Sequence, residues 1–539
     1  MAQVTLQSET QTRPAEKLPW QRRTGVLAAL GGVLLWAALP PLGLGLLAWI
    51  APVPWLLLVR REGGRPYRVL WLAGFCFWLA AIHWLRLPHW TTYFGWLALS
   101  AYLALYLPVF VGLTRVAVHR LRISVIVAAP VVWTGLEFTR AHLLSGFLMA
   151  SLAHTQVDWP SVIQISDLAG GYAVTFVLML VAACLARAWP HAGRRFSLWP
   201  LAAAAIVLAA TLAYGHWRLG APPGAAGPRV ALIQGSIDAE WKEDRTKNQR
   251  IFDQYFGLSQ QAVHEASGEL DLIVWPETMY RNALYRVDPD FQPAADVRAL
   301  YREADEETAS HLADMAHVLR TPLLIGIGSI ELRPSGPVAF NSAVGIARDG
   351  AEVGLYNKVH RVMFGEYIPL AHVFPWLYEL TPLAGGLEAG EEPKTFLLGD
   401  YLYASNICYE STVPHVIRNQ VQTLTAAGEE PDVLVNLTND AWFWGSSELD
   451  MHLACGVFRA IECRKPFLIA ANTGISAQID SSGRILQQSP KQQTDVLLAQ
   501  VTLDPRRSPY LIVGDWPAGA CLAGCVLLAV LGLIRGRRG

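Results

Sequence analysis

Apolar stretches long enough to cross a bilayer crowd the first 217 residues of this 539-residue chain and return only at its end. They occupy 24–39, 43–59, 69–85, 94–114, 123–139, 161–186 and 197–214, then 509–534. A helix crossing the hydrocarbon core needs about 20 predominantly apolar residues. The pattern therefore predicts a helical membrane bundle of about eight spans. The first two are short and form a tight hairpin around Pro40-Pro41. The first run is not a cleavable leader, because further spans follow at once and no small-residue cleavage site ends it. Hydrophobic residues make up 53% of the chain and charged residues 16%, against about a quarter charged in soluble domains. That excludes both a wholly soluble chain and a disordered one. The net charge of -1 offers no general field for nucleic acid.

Basic residues fall unevenly on alternate sides of these runs. One side carries Arg13, Lys17, Arg22 and Arg23, then Arg60, Arg61, Arg65 and Arg68, then Arg115, Arg120 and Arg122, then Arg187, Arg194 and Arg195, and finally Arg535, Arg537 and Arg538. The other has Arg86, Arg140 and Arg218. The positive-inside rule places both termini in the cytoplasm and residues 218–508 across the membrane. His89, Trp90, Tyr93, Phe94 and Trp96 form an aromatic cluster suited to the opposite interface. The expected organisation is a cytoplasmic tail over 1–23, a seven-span membrane domain over 24–217 and a soluble domain over 228–507. A last span over 509–534 and a short tail over 535–539 complete it.

From Pro228 the pattern becomes short β-rich runs alternating with amphipathic helices. Strands are expected at 230–236, 272–277, 322–330, 341–349, 402–410, 433–440, 467–474 and 475–480, and helices at 246–266, 295–319, 412–425 and 447–464. Near-continuous apolar strands bounded by turn residues predict sheets covered on both faces, hence a layered α/β domain with two sheets between helices. Seven Cys, with no CxxC pair, argue against a disulfide framework and a zinc site. Cys455 and Cys463 lie on one helical face and read as structural. His311 and His317 have the wrong helical spacing for shared metal ligation, and Gly326-Ile327-Gly328 lacks the third glycine of a dinucleotide site. Segments 281–300 and 383–394 are lid candidates by composition.

Three reactive side chains stand where strands are expected to end. Glu277 closes Leu272-Ile273-Val274-Trp275-Pro276, Lys358 lies in Tyr356-Asn357-Lys358-Val359-His360, and Cys408 ends Ala404-Ser405-Asn406-Ile407. Loops beyond strand ends are where α/β folds aim functional groups. Alone, the thiol reads as a small hydrophobe and the charged groups as solvated. Together they make chemical sense. A thiol is mostly protonated at neutral pH, a buried carboxylate can take its proton, and an ammonium can stabilise thiolate and oxyanion.

At these residues the chain resembles the carbon–nitrogen hydrolase (nitrilase) superfamily, and with its membrane spans it resembles the apolipoprotein N-acyltransferase family. The matching stretches are VALIQGSIDAEWK (230–242), LIVWPE, YNKVHRVMFGEYIP (356–369), NICYE, NLTNDAWF (436–443) and FRAIE (458–462), with Pro130, Trp133, Glu137, Arg140 and Gly146-Phe147 in the membrane half. The resemblance implies an α-β-β-α sandwich with Glu277 as general base, Lys358 as oxyanion stabiliser and Cys408 as nucleophile. It also implies Glu366 as a second acidic residue, Tyr409 and Glu410 flanking the nucleophile, and Trp241, Trp442 and Phe443 near substrate.

The implied reaction moves an acyl chain from a membrane phospholipid, through a Cys408 thioester, to the α-amine of a diacylglyceryl-modified apolipoprotein. No metal or organic cofactor is implied. The implied location is a bacterial inner membrane with the catalytic domain in the periplasm. Other readings are a membrane-tethered amidase or nitrilase, and a transporter or scaffold carrying a decayed enzyme domain. Departures from the family pattern are Met363 in place of Pro, residues 444–452, and 147–156, which keep Gln156 but lose the usual Pro-Trp and Tyr. The pair Glu137 and Arg140, at the end of the fifth run, reads equally as a functional pair or as an interface clamp.

Overall fold

The structure is a computed structural model and describes residues 20–190, 196–221, 224–239, 245–381 and 385–536. In the first part, apolar helices span Trp20–Ala38, Val53–Val59, Tyr67–Ala81, Thr92–Leu103, Tyr106–Arg115, Val125–His142, Gly171–Ala188 and Trp199–Leu219. The helix Trp516–Gly536 follows the soluble domain. Among the described residues, four helical stretches are long and apolar enough to cross a membrane: Thr92–Arg120, Gly171–Ala188, Trp199–Leu219 and Trp516–Arg535. Thr24–Ala38, Gly45–Val59 and Tyr67–Ala81 are shorter apolar helices. At 1.5 Å per residue, such lengths fall short of a hydrocarbon core of about 30 Å.

The run over 161–186, expected as one span, is broken at Gly170, whose φ of +67° ends one short helix and starts the next. Ahead of it, Pro160–Ile163 and Ser166–Ala169 form single turns that bury Gln164, Ser166 and Asp167 completely. Polar groups so placed need partners, and Gln164 and Asp167 find theirs largely in the soluble domain.

That domain holds two six-stranded sheets. The first contains β1 (Ala226–Gln234), β2 (Leu272–Val287), β3 (Leu323–Arg333), β4 (Gly336–Ile346), β5 (Glu352–Asn357) and β12 (Asp495–Thr502), in the order β12-β1-β2-β3-β4-β5. The second contains β6 (Thr395–Leu398), β7 (Tyr401–Ile407), β8 (Val433–Thr438), β9 (Phe467–Ala471), β10 (Ala477–Ile479) and β11 (Ile485–Gln488), in the order β11-β10-β9-β8-β7-β6. In each sheet the middle strands are parallel and the outer pairings antiparallel.

The near-continuous apolar strands are buried on both faces. Val230, Leu232, Val274 and Leu324 of the first sheet share one core with Tyr403, Val435, Leu437 and Leu468 of the second. Helices Arg245–Glu265 and Ala295–Leu319 cover the outer face of the first sheet, where Tyr255, Leu312 and Met315 join Ile273 and Ile325. Helix Ser447–Cys463 lies on the second sheet and is buried over almost its whole length. Its Phe458 and Ile461 share a core with Ala153, Ile163 and Ile469, so membrane helices and sheet close over it from two sides. Cys455 and Cys463 are packed there. Residues 281–287, part of a lid candidate, continue β2 in register with β3. The other candidate, 383–394, lies partly outside the described residues.

The two parts are welded by polar groups. Arg464, in the left-handed conformation that ends helix Ser447–Cys463, is fully buried. Its Nε and Nη2 donate to Asp167 Oδ2 at 3.0 and 2.5 Å, and Nη1 donates to Gln164 Oε1 at 2.8 Å. Arg218 reaches the same Asp167 oxygen at 2.7 Å, and the Tyr214 hydroxyl donates to Oδ1 at 2.7 Å. Glu462 accepts from the Gly171 amide at 2.8 Å. Glu137, buried in the fifth apolar run, accepts from Ser151, the Leu152 amide and Thr175. Arg140 lies 3.6 Å from Glu137 and over the Trp78 ring, a pattern that favours a clamp. Removing one partner of a buried ion pair strands the other charge at a cost of about 3–5 kcal/mol. Asp167→Ala is therefore expected to lower stability by about that amount, and Asp167→Asn by less, measured by thermal unfolding in detergent.

Candidate active site

Glu277 does not end its strand as expected. β2 carries on to Val287, but its pairing with β3 slips between Trp275 and Tyr280. Thr278 takes a left-handed φ of +54°. A bulge of this kind re-aims one side chain out of the sheet, and here it turns Glu277. Gly326 on β3 makes the bulge possible: a Cβ there would lie 2.2 Å from the Pro276 carbonyl oxygen. The glycine that looked like a weak dinucleotide signal is room for the neighbouring backbone.

Lys358 follows β5, with its amide held by the Asn341 carbonyl at 2.8 Å. Glu366 sits in the turn beyond, where the Val362 amide donates to its Oε2 at 2.8 Å. Met363, the departure from the family's Pro, pairs across this turn with Tyr367. Cys408 leaves β7 with a φ of +52° and starts the single turn Cys408–Thr412. A non-glycine residue in that region costs about 1–3 kcal/mol and needs its surroundings to hold it.

Glu410 supplies the hold. Its completely buried carboxylate accepts from Ile407 N at 2.7 Å, from Val359 N, His360 N and the Tyr356 hydroxyl at 2.9 Å each. It thus ties the Cys408 turn to the backbone after Lys358. Tyr409 points the other way, its hydroxyl donating to the Gly146 carbonyl at 2.5 Å and its ring stacking on His360.

Lys358 Nζ lies 2.8 Å from Glu366 Oε1 and 3.7 Å from Glu277 Oε1, at 1% exposure. Asn341 Nδ2 donates to both carboxylates, at 2.6 Å to Glu277 and 3.1 Å to Glu366. The Asn439 amide donates to the other Glu277 oxygen at 2.9 Å. Burial works against the Lys358 charge, but Glu366, Cys408 and Glu277 outweigh it and hold the ammonium charged well above its usual range. Burial also pushes Glu366 up, yet Lys358 brings it below its ordinary value. For Glu277 burial wins, and Glu366 adds to it, so its carboxyl is raised. Burial and the Glu277 charge push the Cys408 thiol well up, against Lys358 and a hydrogen bond with Thr438. The resting pair is a thiol beside a carboxylate of raised proton affinity, which is how a nucleophile and its base are arranged.

The structure thus gathers Glu277, Lys358, Glu366 and Cys408 into one site, with Lys358 and Glu277 buried, Glu366 and Cys408 half-buried and Glu410 beneath it. Trp442 and Phe443 follow Asn439 and are half-buried, Phe443 meeting Trp84 edge-on at 5.1 Å. Trp241 lies outside the described residues. Asn341 and Asn439 were not foreseen; the available signal was a polar residue opening or closing an apolar strand. Asp440, Glu448 and His452 also come together behind Cys408, their ligand atoms within 4.8 Å of one another. Both His452 nitrogens already face protein groups there, Asp440 on one side and Ser411 with the Cys408 carbonyl on the other. His142, His415 and Asp515 form a second such group, but the rings are stacked at 4.2 Å and Asp515 is paired with Arg418. Neither set converges freely on a metal ion.

Residues 31–184 match the family model of the apolipoprotein N-acyltransferase N-terminal domain, and residues 229–508 match that of the carbon-nitrogen hydrolases. An apolipoprotein N-acyltransferase of Geobacter metallireducens is 34% identical over 95% of this chain and 96% of its own length. One of Rhodopirellula baltica is 32% identical over 94% and 97%. Among solved structures, an amidase from Nesterenkonia sp. aligns at 16% identity with a TM-score of 0.37, covering 55% of this chain and 96% of that one. Fold and site together define a carbon–nitrogen hydrolase domain fused to apolar helices. The chain belongs to the apolipoprotein N-acyltransferase family.

Glu410→Ala would orphan three buried amides and a phenol, each costing about 1–3 kcal/mol. It is expected to unfold the Cys408 turn and abolish Cys408 reactivity, whereas Glu410→Gln retains part of both. Thermal unfolding and the rate of Cys408 alkylation check this.

Proposed function

We propose that this enzyme N-acylates lipoproteins, using Cys408 as nucleophile, Glu277 as general base and Lys358 as oxyanion stabiliser. Its acyl donor is a membrane phospholipid. The observation that carries the reading is the buried Lys358 ammonium between Glu277 and Glu366, in a domain packed against apolar helices.

In the first half-reaction Glu277 takes the thiol proton and the Cys408 sulfur attacks an ester carbonyl of the phospholipid. Lys358 stabilises the tetrahedral oxyanion. Collapse breaks the ester C–O bond, and the departing lysophospholipid oxygen takes the proton from Glu277, leaving a thioester. In the second half, the α-amine of an S-diacylglyceryl cysteine attacks that thioester and gives its proton to Glu277. The C–S bond breaks, an amide forms, and the thiolate regains the proton. Glu366 keeps Lys358 charged throughout, and Glu410 keeps the nucleophile turn in place. Tyr409 and Phe443 touch the membrane half at Gly146 and Trp84 and contribute to the substrate-facing walls, as do Trp442 and Trp241 by the family resemblance. Both substrates are lipid-anchored, which gives the attached helices their purpose, and excluding water protects the thioester from hydrolysis.

The finer architecture in this reading is eight membrane elements, with Val125–His142 and the three shorter apolar helices completing the four long ones, and an α-β-β-α catalytic sandwich. Domains run over 1–23, 24–217, 228–507, 509–534 and 535–539. The charge asymmetry supports cytoplasmic termini and a periplasmic catalytic domain at a bacterial inner membrane. A reporter after Arg538 should then report a cytoplasmic location and one near Gly224 a periplasmic one; the reverse pattern would refute the orientation.

Intact-mass analysis of purified protein incubated with phospholipid tests the chemistry. Wild type should gain an acyl-sized mass, Cys408→Ala should not, and a diacylated lipopeptide should discharge the adduct onto its amine. An unacylated protein that still hydrolyses simple amides or nitriles would favour the tethered amidase.

A further inference from the structure

Behind Cys408 a closed ring of hydrogen bonds runs through residues that the acyl-transfer steps leave unused. The Thr438 hydroxyl is near enough to the Cys408 thiol to counter the rise in its pKa. Thr438 Oγ1 also donates to Asp440 Oδ1 at 2.7 Å. The same Asp440 oxygen is 3.2 Å from His452 Nδ1. His452 Nε2 then returns to the nucleophile, 3.2 Å from the Cys408 carbonyl oxygen and 2.7 Å from Ser411 Oγ. Thr438, Asp440, His452 and Ser411 are all at least 97% buried.

The donor count assigns the protons. Ser411 Oγ donates to the Cys408 carbonyl at 3.1 Å, an oxygen that also accepts from Asn436 Nδ2 at 3.1 Å, and in that arrangement Ser411 accepts from His452. The carbonyl has no proton to give, and neither has the Asp440 carboxylate. In that arrangement both ring nitrogens of His452 donate, which makes it an imidazolium, and the Asp440 oxygen 3.2 Å from Nδ1 favours that form. Thr438 has a single proton to share between Asp440 and the sulfur. Because His452 already donates to Asp440 Oδ1, that oxygen remains satisfied when the hydroxyl turns to the thiolate.

We propose that His452 is a positioning residue for the nucleophile: as an imidazolium it fixes the carbonyl of the left-handed Cys408 and, through Asp440, frees the Thr438 hydroxyl to stabilise the thiolate. The proposal rests on Cys408 being the nucleophile.

Burial opposes the His452 charge, but Asp440 outweighs it and raises its pKa to about 9. The titratable groups facing it are Asp440, after β8, and Glu448, one turn earlier on its own helix, with the Cys408 turn opposite; Asp450 and Lys491 lie beyond Glu448. Glu448 is pushed well above the carboxylate range by burial and by Asp440. A raised histidine carries its charge below its folded pKa and loses it above, so the effect is present at neutral pH and fades as pH passes about 9.

The test uses full-length His452→Gln, Thr438→Val and Thr438→Ser with two readouts, Cys408 alkylation by iodoacetamide and single-turnover acylation by phospholipid, across pH 6–10. His452→Gln is expected to slow both by about 10- to 100-fold at neutral pH, the size expected when a hydrogen bond from a charged group is lost. Its half-saturating phospholipid concentration should stay unchanged, and the deficit should shrink as pH passes about 9. Thr438→Val should share the deficit and Thr438→Ser restore the rate. Melting temperature is followed alongside; if His452→Gln does not fold, the Thr438 pair still decides the matter. Rates and pH profiles equal to wild type, or a loss in half-saturation alone, would overturn the proposal. Alkylation that depends on His452 in a protein that phospholipid never acylates would uphold the proposal and refute the acyl donor instead.

Discussion

An ammonium buried to 1% exposure has to be neutralised where it stands, and the geometry around Lys358 follows from that requirement. Removing an ion from water costs several kcal/mol even in a relaxed protein, and only close, hydrogen-bonded counter-charges offset it. Glu366 at 2.8 Å and Glu277 at 3.7 Å supply two negative charges for one positive, and Asn341 bridges the pair. The division is uneven. Glu366, in contact with the ammonium, stays below its ordinary pKa, while Glu277 is raised by burial and by its neighbour. One carboxylate is thus a permanent counter-ion and the other retains the proton affinity of a base.

Cys408 is tied to that ion cluster through backbone. Cys408 occupies a left-handed conformation that its own side chain disfavours, and Glu410 maintains it by collecting donors from both sides of the site. The carboxylate of Glu410 is bound to amides and a phenol, so its work is geometric. Tyr409, next in sequence, reaches the Gly146 carbonyl in the membrane half. Consecutive residues therefore carry the reactive atom, the tie to the helices and the anchor of the turn.

Attachment to the helices is likewise polar at its centre. Asp167, exposed to neither water nor lipid, accepts from Arg464, Arg218 and Tyr214. It lies in a stretch apolar enough to be read as a span. Gly170 breaks that stretch, and the turns ahead of it face the soluble domain, which supplies the partners a bilayer could not.

Much of this was legible in the sequence. Strand cores such as Leu272–Val274 and Val433–Leu437 announce themselves because both their faces are buried, and helices 295–319 and 447–463 because amphipathic spacing is local. Glu277, Lys358 and Cys408 stood out because reactive side chains followed apolar runs. Edge strands β5, β6, β11 and β12 were missed: they are short or partly exposed, and their pairing is decided by distant chain. Span count also outran local pattern, since mean apolarity does not register that Gly170 breaks a helix or that Asp167 has a buried arginine waiting.

By itself the sequence determined which segments avoid water, which alternate as strand and helix, and which reactive side chains the chain carries, all properties of neighbours in sequence. Only tertiary structure decided that Glu277 turns on a bulge opened by Gly326, that Asn341 bridges two carboxylates, and that His452 lies behind Cys408. Those depend on burial and on contacts across tens to hundreds of residues, where the strength of a charge or hydrogen bond is set by what the fold brings beside it.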